Sequence, residues 1–116
     1  DVANSLNSLG QFYKLQGNYA KAEPLLVRSL AIREKVLGRE HPDVASSLNN
    51  LAGLYRSQGN YTKAEPLYTR TLAIYEKVLG SEHPDVATSL NNLAVLYSEQ
   101  GNYKKVEPLL LRALAI

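Results

Sequence analysis

Few side chains in this chain could do chemistry. Its 116 residues contain two histidines, His41 and His83, and no cysteine, so a thiolate nucleophile, a thiolate metal site and a disulfide framework are all excluded. Both histidines stand in the same context, before Pro42 and Pro84 and 42 residues apart. A metal site needs several ligands within about 2 Å of one ion, and acid–base catalysis needs a partner within hydrogen-bond reach. A repeated His-Pro supplies neither, and its context gives the imidazoles a role in shaping a loop or capping a helix. No Ser/His/Asp grouping, phosphate-cradling glycine loop or paired carboxylate stands elsewhere. The sequence reads as that of a non-enzymatic protein with no catalytic residue, no metal and no cofactor.

Amides carry the other recurring chemistry. Asn7, Asn49 and Asn91 recur at one position, and Asn50 and Asn92 follow the last two. A row of carboxamides offers donors and acceptors that can pair with the backbone of an extended peptide. The competing use is bonding between adjacent helices, which would hold them in register.

The elements that must position these amides come from an internal repeat. Shifted by 42 positions, residues 1–42 match 43–84 at about 29 of 42 positions, and 85–116 continue the match at about 23 of 32. The repeats are therefore expected at 1–42, 43–84 and 85–116, the third truncated, as in a piece of something longer. Within the second, His41-Pro42-Asp43 opens a helix, since proline lacks only an N–H that would be orphaned there. Gly59 closes that helix, Asn60 caps the next from about Tyr61 to Leu79, and Gly80 ends it. No period-2 alternation argues for a strand.

Val44, Ala45, Leu48, Leu51, Ala52 and Tyr55 fall on one face of the first helix. Ser46, Asn49, Asn50, Gly53, Arg56 and Ser57 fall on the other. The second helix is expected to bury Ala64, Leu67, Tyr68, Thr71, Leu72, Tyr75, Val78 and Leu79. Pro66 lies inside it on the face of Lys63, Arg70 and Lys77, so the carbonyl it frees is expected to meet water. Two-helix units cannot bury such stripes alone, and stacking them gives an all-α solenoid of antiparallel helix pairs.

In the middle copy, Leu48-Asn49-Asn50-Leu51-Ala52-Gly53-Leu54-Tyr55, Gly59-Asn60-Tyr61 and Ala64-Glu65-Pro66-Leu67-Tyr68 resemble a tetratricopeptide repeat. The 42-residue period, with Ala73-Ile74-Tyr75-Glu76-Lys77-Val78-Leu79-Gly80 and His83-Pro84-Asp85-Val86-Ala87, resembles the kinesin light chain type. Period alone would also admit HEAT or armadillo arrays, but the Gly-Asn-Tyr turn speaks against them. The resemblance implies a right-handed superhelix whose first helices line a concave groove. That groove would present Asn7, Lys14, Ser46, Asn49, Asn50, Arg56, Thr88, Asn91 and Asn92 to a peptide or partner segment. Lys14 and Arg56 are the only basic residues on the face, and Glu99 adds a negative charge, so weak and adaptable peptide binding is the expectation.

Thirteen basic against eleven acidic residues give a formal net charge of +2, spread along the chain, which leaves no footprint for nucleic acid or a membrane surface. No apolar run approaches the roughly 18 residues of a membrane span. A cysteine-free chain fits a reducing compartment, so a cytoplasmic location is expected. The alternative to a peptide-binding module is a structural scaffold that self-associates through uncapped repeat ends, because Leu109, Leu110, Leu111, Leu114 and Ile116 close the chain without a polar capping helix.

Overall fold

The computed structural model describes all 116 residues. Six α-helices follow one another: α1 Val2–Leu15, α2 Tyr19–Leu37, α3 Pro42–Ser57, α4 Tyr61–Leu79, α5 Pro84–Glu99 and α6 Val106–Leu114. A single 3-10 turn, Tyr103–Lys105, leads into α6, and no strand occurs.

The helix boundaries follow local chemistry. The Asp43 and Asp85 N–H groups donate to Nδ1 of His41 and His83 at 3.0 Å, so each imidazole caps the helix that its proline begins. A neutral imidazole accepting at Nδ1 carries its proton on Nε2. Asn18 and Asn60 accept from the Lys21 and Lys63 N–H groups in the same capping sense. Between the helices of a pair, Gly59 takes φ +74°, and the Asn60 N–H returns to the Tyr55 carbonyl at 2.8 Å, the paired closure that favours glycine just past a helix end. Pro66 is exposed within an unbroken α4, as its polar face implies.

α1 packs on α2, α3 on α4 and α5 on α6, while α2 meets α3 and α4 meets α5 across the pairs. Each pair thus touches its neighbours in the chain, and the molecule is an elongated slab of 37 × 29 × 18 Å. Its core forms two clusters in series. One is built on Leu26, Leu48, Leu51 and Leu54, the other on Ala52, Leu72, Leu90 and Leu93. Buried hydroxyls reach across the pairs: Ser29 donates to the Ala3 carbonyl at 2.7 Å, and the Thr71 hydroxyl, 2.8 Å from the Leu67 carbonyl of its own helix, also lies 3.3 Å from that of Ala45 in α3.

Two expectations need correcting, and the third repeat departs from its copies. Val78 is 47% exposed rather than buried, and its counterpart Val36 is 73% exposed, so the last turn of the second helix leaves the packed seam in both pairs. Ile74 and Leu54, not placed in the apolar stripes above, are buried in the first cluster, because the neighbouring pair covers their side of the helix. The helix after Asn102 starts late: Asn102 makes no side-chain cap, and Tyr103–Lys105 is a 3-10 turn. Its counterparts α2 and α4 begin directly at the tyrosine.

Candidate functional site

The recurring amides lie on the face shared by α1, α3 and α5. Asn7, Asn49, Asn50 and Asn92 are half-buried, while Ser46, Thr88 and Asn91 are exposed. Asn50 Nδ2 donates to Asn7 Oδ1 and Asn92 Nδ2 donates to Asn49 Oδ1, both at 3.0 Å. Gln11 Nε2 adds a 3.4 Å contact to Asn50 Oδ1, and Gln11 Oε1 is buried without a partner. The asparagines therefore form rungs between successive pairs. A carboxamide has two donors and two acceptor lone pairs, so each rung occupies only part of its capacity, and Asn91 makes no rung at all.

Below the rungs lies a charged cluster. Lys14 and Arg56 are half-buried, and Arg56 Nε meets Glu99 Oε1 at 3.1 Å. Lys14 has no carboxylate partner. Its Nζ lies 2.9 Å from the point where a Cβ on Gly53 would stand, and the Tyr68 hydroxyl is 3.8 Å from that point. Only a glycine leaves room for the ammonium to lie across α3. Burial, with the Arg56 charge second, holds the Lys14 pKa below the usual lysine range. Burial pushes the Tyr68 phenol up, partly opposed by Arg56.

Two glycines of the first helices, Gly53 on the amide side and Gly10 against α2, respond oppositely to a methyl group. Gly53→Ala is expected to stabilise the fold by about 0.5–1 kcal/mol through helix propensity, since the obstacle is the flexible end of Lys14. At Gly10, an added Cβ would stand 2.7–2.8 Å from Cδ2 and Cγ of Leu26, which is buried. Gly10→Ala is therefore expected to destabilise by about 1–2 kcal/mol, overpacking outweighing propensity. Thermal melts of the two variants check the opposite signs.

At the other end of α1, Arg33 of α2 donates to Asn4 Oδ1, to Ser47 Oγ at 2.7 Å and to the Asp43 carbonyl at 3.2 Å. Neither Arg33 nor Tyr68 stood out in the sequence, since both lie on second helices and Tyr68 reads as part of an apolar stripe. The departure of Arg33 from Tyr75 at the same repeat position was the one available signal. A surface hollow of about 490 Å³ lies away from the amide face against Arg39, Arg70 and Lys77. Glu34 and Glu40 pair with those cations. No group of three or more His, Asp or Glu side chains could hold a metal ion. No helix is long and apolar enough to cross a membrane.

The family model for the tetratricopeptide repeat matches residues 1–77 and again 43–116, spanning the chain. No curated protein matches it. Among solved structures, BtubC (BKLC) from P. vanneervenii is 29% identical with a TM-score of 0.91, over 98% of this chain and 46% of that one. A Podospora anserina protein classed with kinesin light chains, made of nearly identical TPR-like repeats, is 34% identical with a TM-score of 0.86, over 97% and 54%. The chain thus spans about half the length of these two relatives. The TPR domain of Arabidopsis FLU, 18% identical with a TM-score of 0.82 over 97% of this chain and 92% of that one, shares the fold.

Proposed function

This chain belongs to the tetratricopeptide repeat family, with kinesin-light-chain-like repeats in a right-handed solenoid, and from that premise we propose that its amide face is the concave groove of a peptide-binding module. Repeats of this family generally mediate protein–protein interaction or scaffolding. The repeat units are 1–42, 43–84 and 85–116, and the groove residues are Asn7, Lys14, Ser46, Asn49, Asn50, Arg56, Thr88, Asn91 and Asn92. The observation that carries the reading is the spare hydrogen-bonding capacity of the rungs beside an unpaired Lys14. An extended segment would pair its backbone with the free carboxamide groups and set an acceptor against Lys14. A cytoplasmic setting suits the cysteine-free composition.

The test is an arrayed peptide screen followed by fluorescence anisotropy on the hits. Asn91→Ala with Lys14→Ala is expected to weaken a bound peptide about tenfold and to leave the thermal midpoint nearly unchanged, because Asn91 carries no internal bond. A midpoint that falls by several degrees, or an unchanged affinity, sinks the groove assignment. The second reading, a scaffold with no dedicated ligand, is favoured by the two carboxamide rungs, which already serve stacking.

A further inference from the structure

Repetition separates the side chains that serve stacking from those that do not. Arg70 Nη2 on α4 meets Glu34 Oε2 on α2 at 3.2 Å, and Arg112 on α6 pairs with Glu76 on α4 in the same way. That pair recurs 42 residues on, so it is a link between successive second helices. Arg39, in the loop between α2 and α3, has no such counterpart, because Ser81 stands at its repeat position. Its Nη1 nonetheless reaches the same oxygen, Glu34 Oε2, at 3.4 Å. Two guanidiniums from separate elements thus converge on one oxyanion.

These arginines line the hollow between that loop and α4. Its volume of about 490 Å³ falls within the range of about 300–1,000 Å³ typical of small-ligand sites. Lys77, Ala73, Ile74 and Glu40 complete the lining, and Glu40 pairs with Lys77. Arg70 also donates to the Arg39 carbonyl at 3.2 Å, which ties the loop to α4 and keeps the two arginines together. The three cations meet two carboxylates, Glu34 and Glu40, so one positive charge is in surplus. The Arg39 and Lys77 side chains are 74% and 66% exposed. Their ion pairs are therefore weak and readily exchanged for an incoming anion.

We propose that this hollow binds a phosphate group through Arg39, Arg70 and Lys77. Guanidinium forks match phosphate oxygens in pairs, and the lysine adds a point charge. The preference for phosphate over carboxylate follows from Glu34. A tethered carboxylate already stands between the two guanidiniums, so an external carboxylate gains nothing over it. A phosphate monoester carries about −1.5 to −2 charge at neutral pH and three acceptor oxygens. That is enough to draw the exposed Arg39 away from Glu34, while Arg70 keeps its stacking link and offers its remaining N–H groups. A phosphorylated side chain of a partner and a free phosphate present the same chemistry. The site lies away from the amide face, so the proposal goes beyond the groove reading and does not rest on it.

An NMR titration of the isotope-labelled chain with a capped glycine–phosphoserine–glycine peptide is expected to give saturable shifts at Arg39, Arg70, Ala73 and Lys77, and none at Asn91. Inorganic phosphate in the same assay separates the two sources: a peptide bound more tightly marks a phosphorylated side chain, and equal or lower affinity for it marks the free anion. Arg39→Gln is expected to weaken binding about tenfold. Glu34→Gln removes the internal competitor but keeps an acceptor for Arg70, and is expected to tighten binding about threefold. Lys35→Gln makes the same charge change as Arg39→Gln at an exposed position outside the hollow, and is expected to leave the affinity unchanged. Circular dichroism should show the same helix content in all three variants. The absence of saturable shifts overturns the proposal, as does a loss in Lys35→Gln equal to that in Arg39→Gln. A glycine–aspartate–glycine peptide bound as tightly, or Glu34→Gln binding no more tightly than the unaltered chain, overturns it as well. Peptide binding in the groove is read separately by the anisotropy measurement.

Discussion

Leu54→Asp is expected to unfold the middle of the array, while Phe12→Asp, which puts the same residue at the same repeat position, leaves the chain folded. Leu54 is 0% exposed and packs in the cluster that joins the first two helix pairs. An aspartate there must either bury an unpaired carboxylate or take up a proton and still lose the apolar contacts. Both routes cost several kcal/mol, about 4 or more, against a total of about 5–15 kcal/mol for a domain. Phe12 is 52% exposed, so its carboxylate would remain in water and the change is expected to cost about 1 kcal/mol. Urea denaturation followed by circular dichroism measures both. Equal losses at the two positions would mean that the interface between pairs contributes little, contrary to the packing described.

The second large effect is at Leu51. Leu51→Ala removes a side chain that is 4% exposed in the first cluster and is expected to cost about 2–5 kcal/mol, the spread reflecting how far the site collapses. Leu93, also 4% exposed, occupies the same repeat position in the second cluster. Because the clusters are separate, the two losses are expected to add to within about 0.5 kcal/mol in the double variant. A much larger departure from additivity would show that the array behaves as one core rather than as stacked units.

Most of the helix framework was legible from neighbouring residues. The span Tyr61–Leu79, the capping by Asn60 and the histidines, the outward face of Pro66 and the buried face of Leu48 and Leu51 all follow from side chains acting within one turn of their own position. The candidate site was legible in composition but not in wiring. The recurrence of Asn49 and Asn91 put amides on one face. It did not reveal that Asn50 reaches back to Asn7, or that Gly53 leaves space for Lys14.

The sequence by itself determined where helices start and stop, which stripes turn inward and that the unit repeats, because capping, proline geometry and the helical period act between residues a few positions apart. Only the tertiary structure decided which of several equivalent residues is covered. Leu54 and Phe12, or Leu72 and Leu114, occupy the same repeat positions, yet their burial differs with the presence of a neighbouring pair. The carboxamide rungs, the Tyr97–Glu65 hydrogen bond and the bed of Lys14 likewise join residues 32 to 43 positions apart or lie across separate helices. Such contacts depend on how the pairs stack, and stacking is a property of the assembled surface that no local window of sequence contains.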